Sequence, residues 1–71
     1  MDAVRQQLGA NLKRRRRAAR LSQERLSELA DLDRTLISLI ERGKKLPRID
    51  TLVKLSRGLG LPLSDLLEGI A

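Results

Sequence analysis

The sequence contains no cysteine, no histidine and no aromatic residue, and each absence closes off a class of protein. Without cysteine there is neither a disulfide nor a thiolate zinc cluster to staple a small fold, and without histidine the commonest metal ligand is missing. With no Cys, His or Tyr, no glycine-rich phosphate loop and no cluster of carboxylates, nothing in the chain is equipped for nucleophilic or metal chemistry. An enzyme is therefore not expected, nor a cofactor or metal. No apolar run approaches the ~20 residues of a membrane-spanning helix, and Asp2 with scattered charges does not suit a signal peptide. The lack of cysteine is compatible with a reducing compartment, and a cytoplasmic location is the expectation.

The chain's 71 residues are enough for one domain, taken as 1–71. With no aromatic area to bury, apolar packing alone must stabilise so small a core, extended across a dimer if one forms. What the chain has in quantity is positive charge: 15 Lys and Arg against nine Asp and Glu, a formal net charge of +6. The excess is uneven. Residues 1–25 hold eight basic and two acidic side chains, whereas residues 26–71 hold seven of each. Even there Arg34, Arg42, Lys44, Lys45 and Arg48 gather with only Glu41 among them, the footprint of a polyanion binder.

The organising stretch is Gln23 to Arg42. Leu26, Ala30, Leu32, Ile37 and Ile40 keep helical spacing on each side of Asp31 but change phase across it, which is the pattern of two short helices joined by a tight corner. Ser22 is placed to cap the first of these helices, which runs to about Ala30 with Leu26, Leu29 and Ala30 inward, and Asp33 is placed to cap the second. Ser27 is small enough for a close crossing. Asp31 stands at the corner, where a left-handed backbone is expected and Asp is among the few tolerable substitutes for glycine.

Before this stretch a helix is expected from Val4 to about Ala19, with Val4, Leu8, Leu12 and Ala19 on one narrow face and Lys13, Arg14, Arg17 and Arg20 opposite. Arg15 points into the apolar stripe, with its stem along the core edge, and Arg16 lies at the margin. The plain reading of Lys13 to Arg17 is a solvated charge run; collectively it attracts phosphate. A membrane-surface role would need large apolar residues opposite the charges, and the thin stripe is already required by the core.

The helix after the corner spans roughly Arg34 to Arg42 and stops at Gly43. Leu36, Ile37 and Ile40 share its inner side; Arg34, Thr35, Ser38 and Arg42 share the other, with Leu39 beside them. Arg34 can donate two hydrogen bonds to guanine O6 and N7, Thr35 and Ser38 can bond to base edges or phosphates, and Leu39 or the Thr35 methyl can meet a thymine methyl. Glu41 would be an acid near phosphates unless paired, and Arg16 is the expected partner. Lys44-Lys45-Leu46-Pro47-Arg48 reads as a basic loop that holds phosphate. A fourth helix follows from about Ile49 to Leu59, with Leu52, Val53 and Leu55 inward, Gly60 as its cap, and Gly58 weakening it by roughly 0.5–1 kcal/mol relative to alanine. A short fifth helix is expected from about Leu63 to Glu68, closing at Gly69. Leu59, Leu61, Leu63, Leu66, Leu67 and Ile70 offer more apolar surface than one short element buries. Of these, Leu61, Leu63, Leu67 and Ile70 are candidates for a homodimer seam.

The run Leu21-Ser22-Gln23-Glu24, the run Ile37-Ser38-Leu39-Ile40-Glu41-Arg42-Gly43-Lys44, Pro47 and Asp50-Thr51-Leu52-Val53-Lys54-Leu55 together resemble the Cro/phage-repressor, or XRE-type, helix-turn-helix family across essentially the whole chain. Arg34-Thr35 ahead of the second run also resembles the controller proteins of restriction-modification systems. The resemblance implies an all-α, lambda-repressor-like bundle of five helices with its helix-turn-helix at about residues 22–42. It implies a homodimer on a pseudo-palindromic operator, with the third helix in the major groove of double-stranded DNA. Carried onto matching positions, it makes Arg34, Thr35 and Ser38 base readers, has Gln23 contact phosphate or support the third helix, and makes Arg16 and Glu41 an internal ion pair. Asp31, Ser27 and Arg15 depart from the family's usual glycine, alanine and apolar residue. Since the chain stops soon after the fifth helix, no sensor or ligand domain is expected, and regulation would come from concentration, dimerisation or a protein partner such as RNA polymerase. The alternatives are an antitoxin that binds its operator and a toxin, and a purely protein-binding module, which retained fold without DNA affinity would reveal.

Overall fold

The computed structural model describes residues 2–70 and places five helices in them: α1 Asp2–Ala18, α2 Gln23–Ala30, α3 Arg34–Glu41, α4 Ile49–Leu59 and α5 Leu63–Leu66. Among the described residues there is no strand. The helix ends are set by local chemistry. The Ser22 hydroxyl accepts the Arg25 N–H at 2.9 Å and the Asp33 carboxylate accepts the Thr35 N–H at 2.8 Å, so α2 and α3 each start on a side-chain cap. Left-handed residues close α1, α2 and α4: Arg20 (φ 60°), Asp31 (φ 56°) and Gly60 (φ 69°). In each case the next N–H folds back onto a carbonyl of the finished helix, from Leu21 to Arg16, Leu32 to Ser27 and Leu61 to Ser56. Asp31 thus makes the corner between α2 and α3 without glycine. Arg20 does the same after α1, where no turn residue announces it.

Leu8, Leu12, Leu26, Ala30, Ile37, Ile40, Leu52, Leu55 and Leu66 form one buried core, with Leu21, Leu32, Leu36, Leu59, Leu63 and Ile70 packed around it. Two helix contacts set the frame, α1 on α3 and α2 on α4, and α5 closes against both α1 and α4. The first contact depends on Gly9. A Cβ at that position would overlap the Ile40 carbonyl oxygen and lie 2.8 Å from that of Glu41, so only glycine lets the two backbones approach. Gly58, expected merely to weaken α4, faces the Ala30 backbone at the other contact, where a Cβ would stand 3.2 Å from the Ala30 nitrogen.

Three expectations are corrected. Leu29, expected inward, is 45% exposed, because the inner side of α2 is already filled by Leu26, Ser27 and Ala30. Ala19, expected on the apolar stripe, is exposed and lies past the end of α1. The buried side of that helix is instead Leu8, Gly9, Asn11, Leu12 and Arg16. The fifth helix is only Leu63–Leu66 rather than reaching Glu68, followed by turn residues 67–69. The helix ends in a tightened turn, with the Leu67 N–H on the Ser64 carbonyl, and fully buried Asn11 holds this end: it donates through Nδ2 to the carbonyls of Leu66 (2.9 Å) and Glu68 (2.7 Å), and accepts from Gln7 and Arg14 on Oδ1. Those carbonyls, left free at the end of the helix, bond to α1, and the Ile70 N–H turns back to Leu67.

Candidate nucleic-acid interface

The outer side of α3 carries Arg34 and Thr35 exposed and Ser38 and Leu39 half-buried, while Ile37 and Ile40 are buried beneath them. Asp33 positions Arg34 and Thr35 in the first helical turn by fixing where the helix begins. Arg42 ends the helix, exposed, with its Nε turned back to the Ser38 carbonyl at 3.4 Å. Four polar side chains of different length are thereby presented together on a rigid element. Such a surface can offer hydrogen-bond donors and acceptors to the edges of base pairs.

What makes the element rigid is a junction beneath it. Arg16 from α1 grips the Glu41 carboxylate through Nε (2.6 Å) and Nη2 (3.0 Å), and its Nη1 donates to the Leu21 carbonyl at 2.8 Å. Gln23, the first residue of α2, donates through Nε2 to the same carboxylate at 3.1 Å. One acid therefore ties together α1, α2 and α3. The hydrogen bonds that Arg16 donates to Glu41 outweigh the cost of burial and, with a smaller part from the Glu41 charge, raise the Arg16 pKa above its usual value. The guanidinium remains charged at every working pH. Glu41 in turn is withdrawn from the surface, its side chain only 2% exposed.

The loop after α3 supplies the cations. Lys44, Lys45 and Arg48 are exposed, Pro47 is buried as the loop's anchor, and Leu46 and Ile49 stand out beside them. Among the described residues Lys44 and Lys45 make no ion pair, whereas Arg48 pairs with Asp50 at 2.9 Å. Of the residues expected to hold phosphate, Lys44 and Lys45 are thus open to a ligand. Arg48 and Gln23 are already engaged inside the chain, although Gln23 retains a second amide hydrogen. The remaining candidates lie at the C-terminal end. Leu63 and Ile70 are half-buried against the chain's own core, Leu61 is half-buried, and Leu67 is 37% exposed. Arg15 lies near Asp65 (3.9 Å) and Glu68 (3.6 Å), and Arg14 pairs with Glu68 at 3.1 Å. Periodicity does not single out Asn11 or Asp50, because a lone polar residue on a helix names no partner; Gly9 could have been found, since glycine inside a helical pattern needs a packing reason.

Known proteins resemble this chain in sequence and in fold. A helix-turn-helix family, HTH_3, matches residues 12–66. Control protein C.MunI from a Mycoplasma species is 41% identical over 71 residues, covering 99% of this chain and 96% of that protein. Among solved structures, the restriction-modification controller protein C.AhdI from Aeromonas hydrophila superposes with a TM-score of 0.88 at 33% identity, covering 90% of this chain and 97% of its own. A transcriptional regulator of the same family from Vibrio cholerae superposes with a TM-score of 0.91 at 28% identity, covering 99% of this chain but 40% of its own.

Proposed function

The chain belongs to the HTH_3 helix-turn-helix family and is a DNA-binding transcription regulator of the XRE type, and on that premise we propose that it works as a homodimer on a pseudo-palindromic operator. The observation that carries this reading is the outer face of α3, Arg34-Thr35-Ser38-Leu39, held by the buried Arg16–Glu41 pair next to a basic loop. In it α3 enters the major groove, Arg34 and its neighbours read bases, and Gln23, Arg42, Lys44, Lys45 and Arg48 hold phosphates. Size supports the dimer. The protomer's longest extent is 28 Å, less than the ~34 Å between successive major grooves on one face of the duplex, and each protomer presents one α3. Two protomers are needed to read two half-sites, with Leu61, Leu63, Leu67 and Ile70 as the seam that joins them.

Regulation would follow from occupancy: the bound dimer either blocks RNA polymerase or touches it. The working compartment is then the cytoplasm; among the described residues no helix is long and apolar enough to cross a membrane. The relatives named above are controllers and regulators rather than enzymes, and the antitoxin alternative draws no support from them.

The test is selection from a random duplex pool, followed by titration of the enriched duplex at two salt concentrations. A palindrome with half-sites about one helical turn apart supports the dimeric reader; salt-sensitive binding with no enriched motif refutes it. Arg34→Ala should relax specificity at one base position, whereas Lys45→Ala should weaken binding to every sequence and lower the salt slope by about one. Equal loss from both variants on all duplexes would abolish the distinction between reader and anchor.

A further inference from the structure

The basic loop ends in an acid that phosphate attraction leaves unexplained. Asp50, in the first turn of α4, receives Arg48 on both of its oxygens, Nε at 3.3 Å on Oδ1 and Nη2 at 2.9 Å on Oδ2. This is the fork with which a guanidinium grips a phosphate. Asp50 Oδ1 also accepts the Thr51 N–H at 2.9 Å. The hydrogen bond from Arg48 is the chief reason that the Asp50 carboxyl stays below its usual pKa. A carboxylate of the chain itself therefore occupies the donors of this corner, while Lys44 and Lys45 in the same loop make no ion pair among the described residues.

We propose that Asp50 is a specificity-determining residue that acts through Arg48: it holds the guanidinium against diffuse phosphate attraction, so that Arg48 contributes only where a phosphate is placed well enough to displace the carboxylate. This rests on the DNA-binding reading above and adds to it a reason why one of the loop's cations is restrained. Nonspecific affinity grows with the number of cations free to replace counterions on the duplex, and a cation that is already neutralised replaces none. On a well-matched operator the fixed geometry of the docked protein delivers a phosphate to Arg48 and the exchange proceeds. On random DNA, where the protein samples many registers, the carboxylate keeps its hold. Both side chains are largely exposed, so the exchange takes place in a high-dielectric setting. An exposed pair of this kind is worth a factor of about two to five in an equilibrium.

Asp50→Asn isolates the charge, because the amide keeps the oxygen that accepts the Thr51 N–H. Binding is titrated at two salt concentrations, on a random duplex and on the selected duplex, for the wild type, Asp50→Asn, Arg48→Ala and the double variant. The expected result is about a two- to fivefold gain for Asp50→Asn on random DNA, a salt slope steeper by about 0.9, and a smaller gain on the selected duplex. In the Arg48→Ala background the gain should largely disappear. An equal gain with and without Arg48 would make Asp50 a mere unit of negative charge and overturn the inference. No gain in the presence of Arg48 would reduce it to a helix-terminal acid, with the same consequence. A wild type that binds no duplex in a salt-dependent way refutes the DNA-binding reading itself, a result distinct from either of these.

Discussion

Two arginine–carboxylate pairs in this molecule are alike in contact and opposite in setting. Arg16 meets Glu41 at 2.6 and 3.0 Å, and Arg48 meets Asp50 at 2.9 and 3.3 Å. The first pair leaves 10% and 2% of its side chains exposed, the second 85% and 60%. Contact geometry alone therefore does not say what a charge pair does; the dielectric around it does. In the buried junction, removing one partner strands the other without water. At the loop, solvent or a phosphate can take the place of either. The same chemistry thus serves to lock α1, α2 and α3 in one place and to restrain a replaceable cation in the other.

The largest effect should come from breaking the buried pair. Glu41→Ala leaves Arg16 and the Gln23 amide facing a void, and loss of one member of a buried pair costs roughly 3–5 kcal/mol. A urea titration followed by circular dichroism should show the midpoint collapse. Replacing Arg16 and Glu41 together by Met and Leu should restore much of it, because the stranded charge is gone. A midpoint that survives Glu41→Ala would place this pair with the exposed one. Second in size is Gly9→Ala, which tests the same junction through its backbone. Alanine would gain up to ~1 kcal/mol of helix propensity, but the added Cβ overlaps the Ile40 carbonyl and crowds that of Glu41. Overpacking of this kind costs about 1–3 kcal/mol, and net destabilisation in the same titration is expected. A more stable Gly9→Ala protein would mean that α1 and α3 can separate without loss.

The difference between the two pairs also marks how far a sequence can be read. Caps and periodicity are local, so Ser22, Asp33, the break at Asp31 and the limits of α4 at Ile49 and Leu59 are legible from the residues alone. An acid near the end of α3, with basic residues close by in the chain, needs a partner, and that reasoning leads to Arg16, which the fold brings to Glu41. Relations set by distance through space are not legible in this way. Asn11 looks like an ordinary polar residue until the carbonyls of Leu66 and Glu68 arrive 55 and 57 positions later in the chain. Leu29 has the right spacing to be inward, yet the crossing of α2 with α4 already fills its side. The Arg48–Asp50 pair is close in sequence and still goes unseen when a basic loop is treated as a sum of free charges. Spacing gives the direction in which a side chain leaves its helix; which group it meets is decided by packing.

The smallest effect is expected at the exposed pair, and acid is the way to see it. Arg48→Ala should lower the urea midpoint of the free protein only slightly at neutral pH, since a pair this exposed is screened and weakly ordered. Its presence should nevertheless be visible in the titration of Asp50. The folded protein holds that carboxyl below its usual value, chiefly through the hydrogen bond from Arg48, whereas the unfolded chain titrates near the ordinary ~3.9. Between those values the unfolded state binds more protons, so stability rises with pH there. The contribution is complete above the unfolded value and is lost as pH falls through the folded one. Carbon-detected NMR of the Asp50 carboxyl should show its midpoint move up toward the ordinary value in Arg48→Ala. If it does not move, the pair does not persist in solution, and Arg48 belongs with Lys44 and Lys45 as a free cation. Arg16 offers the contrast, because Glu41 raises a pKa that already lies beyond any working pH, and no comparable acid window exists for its guanidinium.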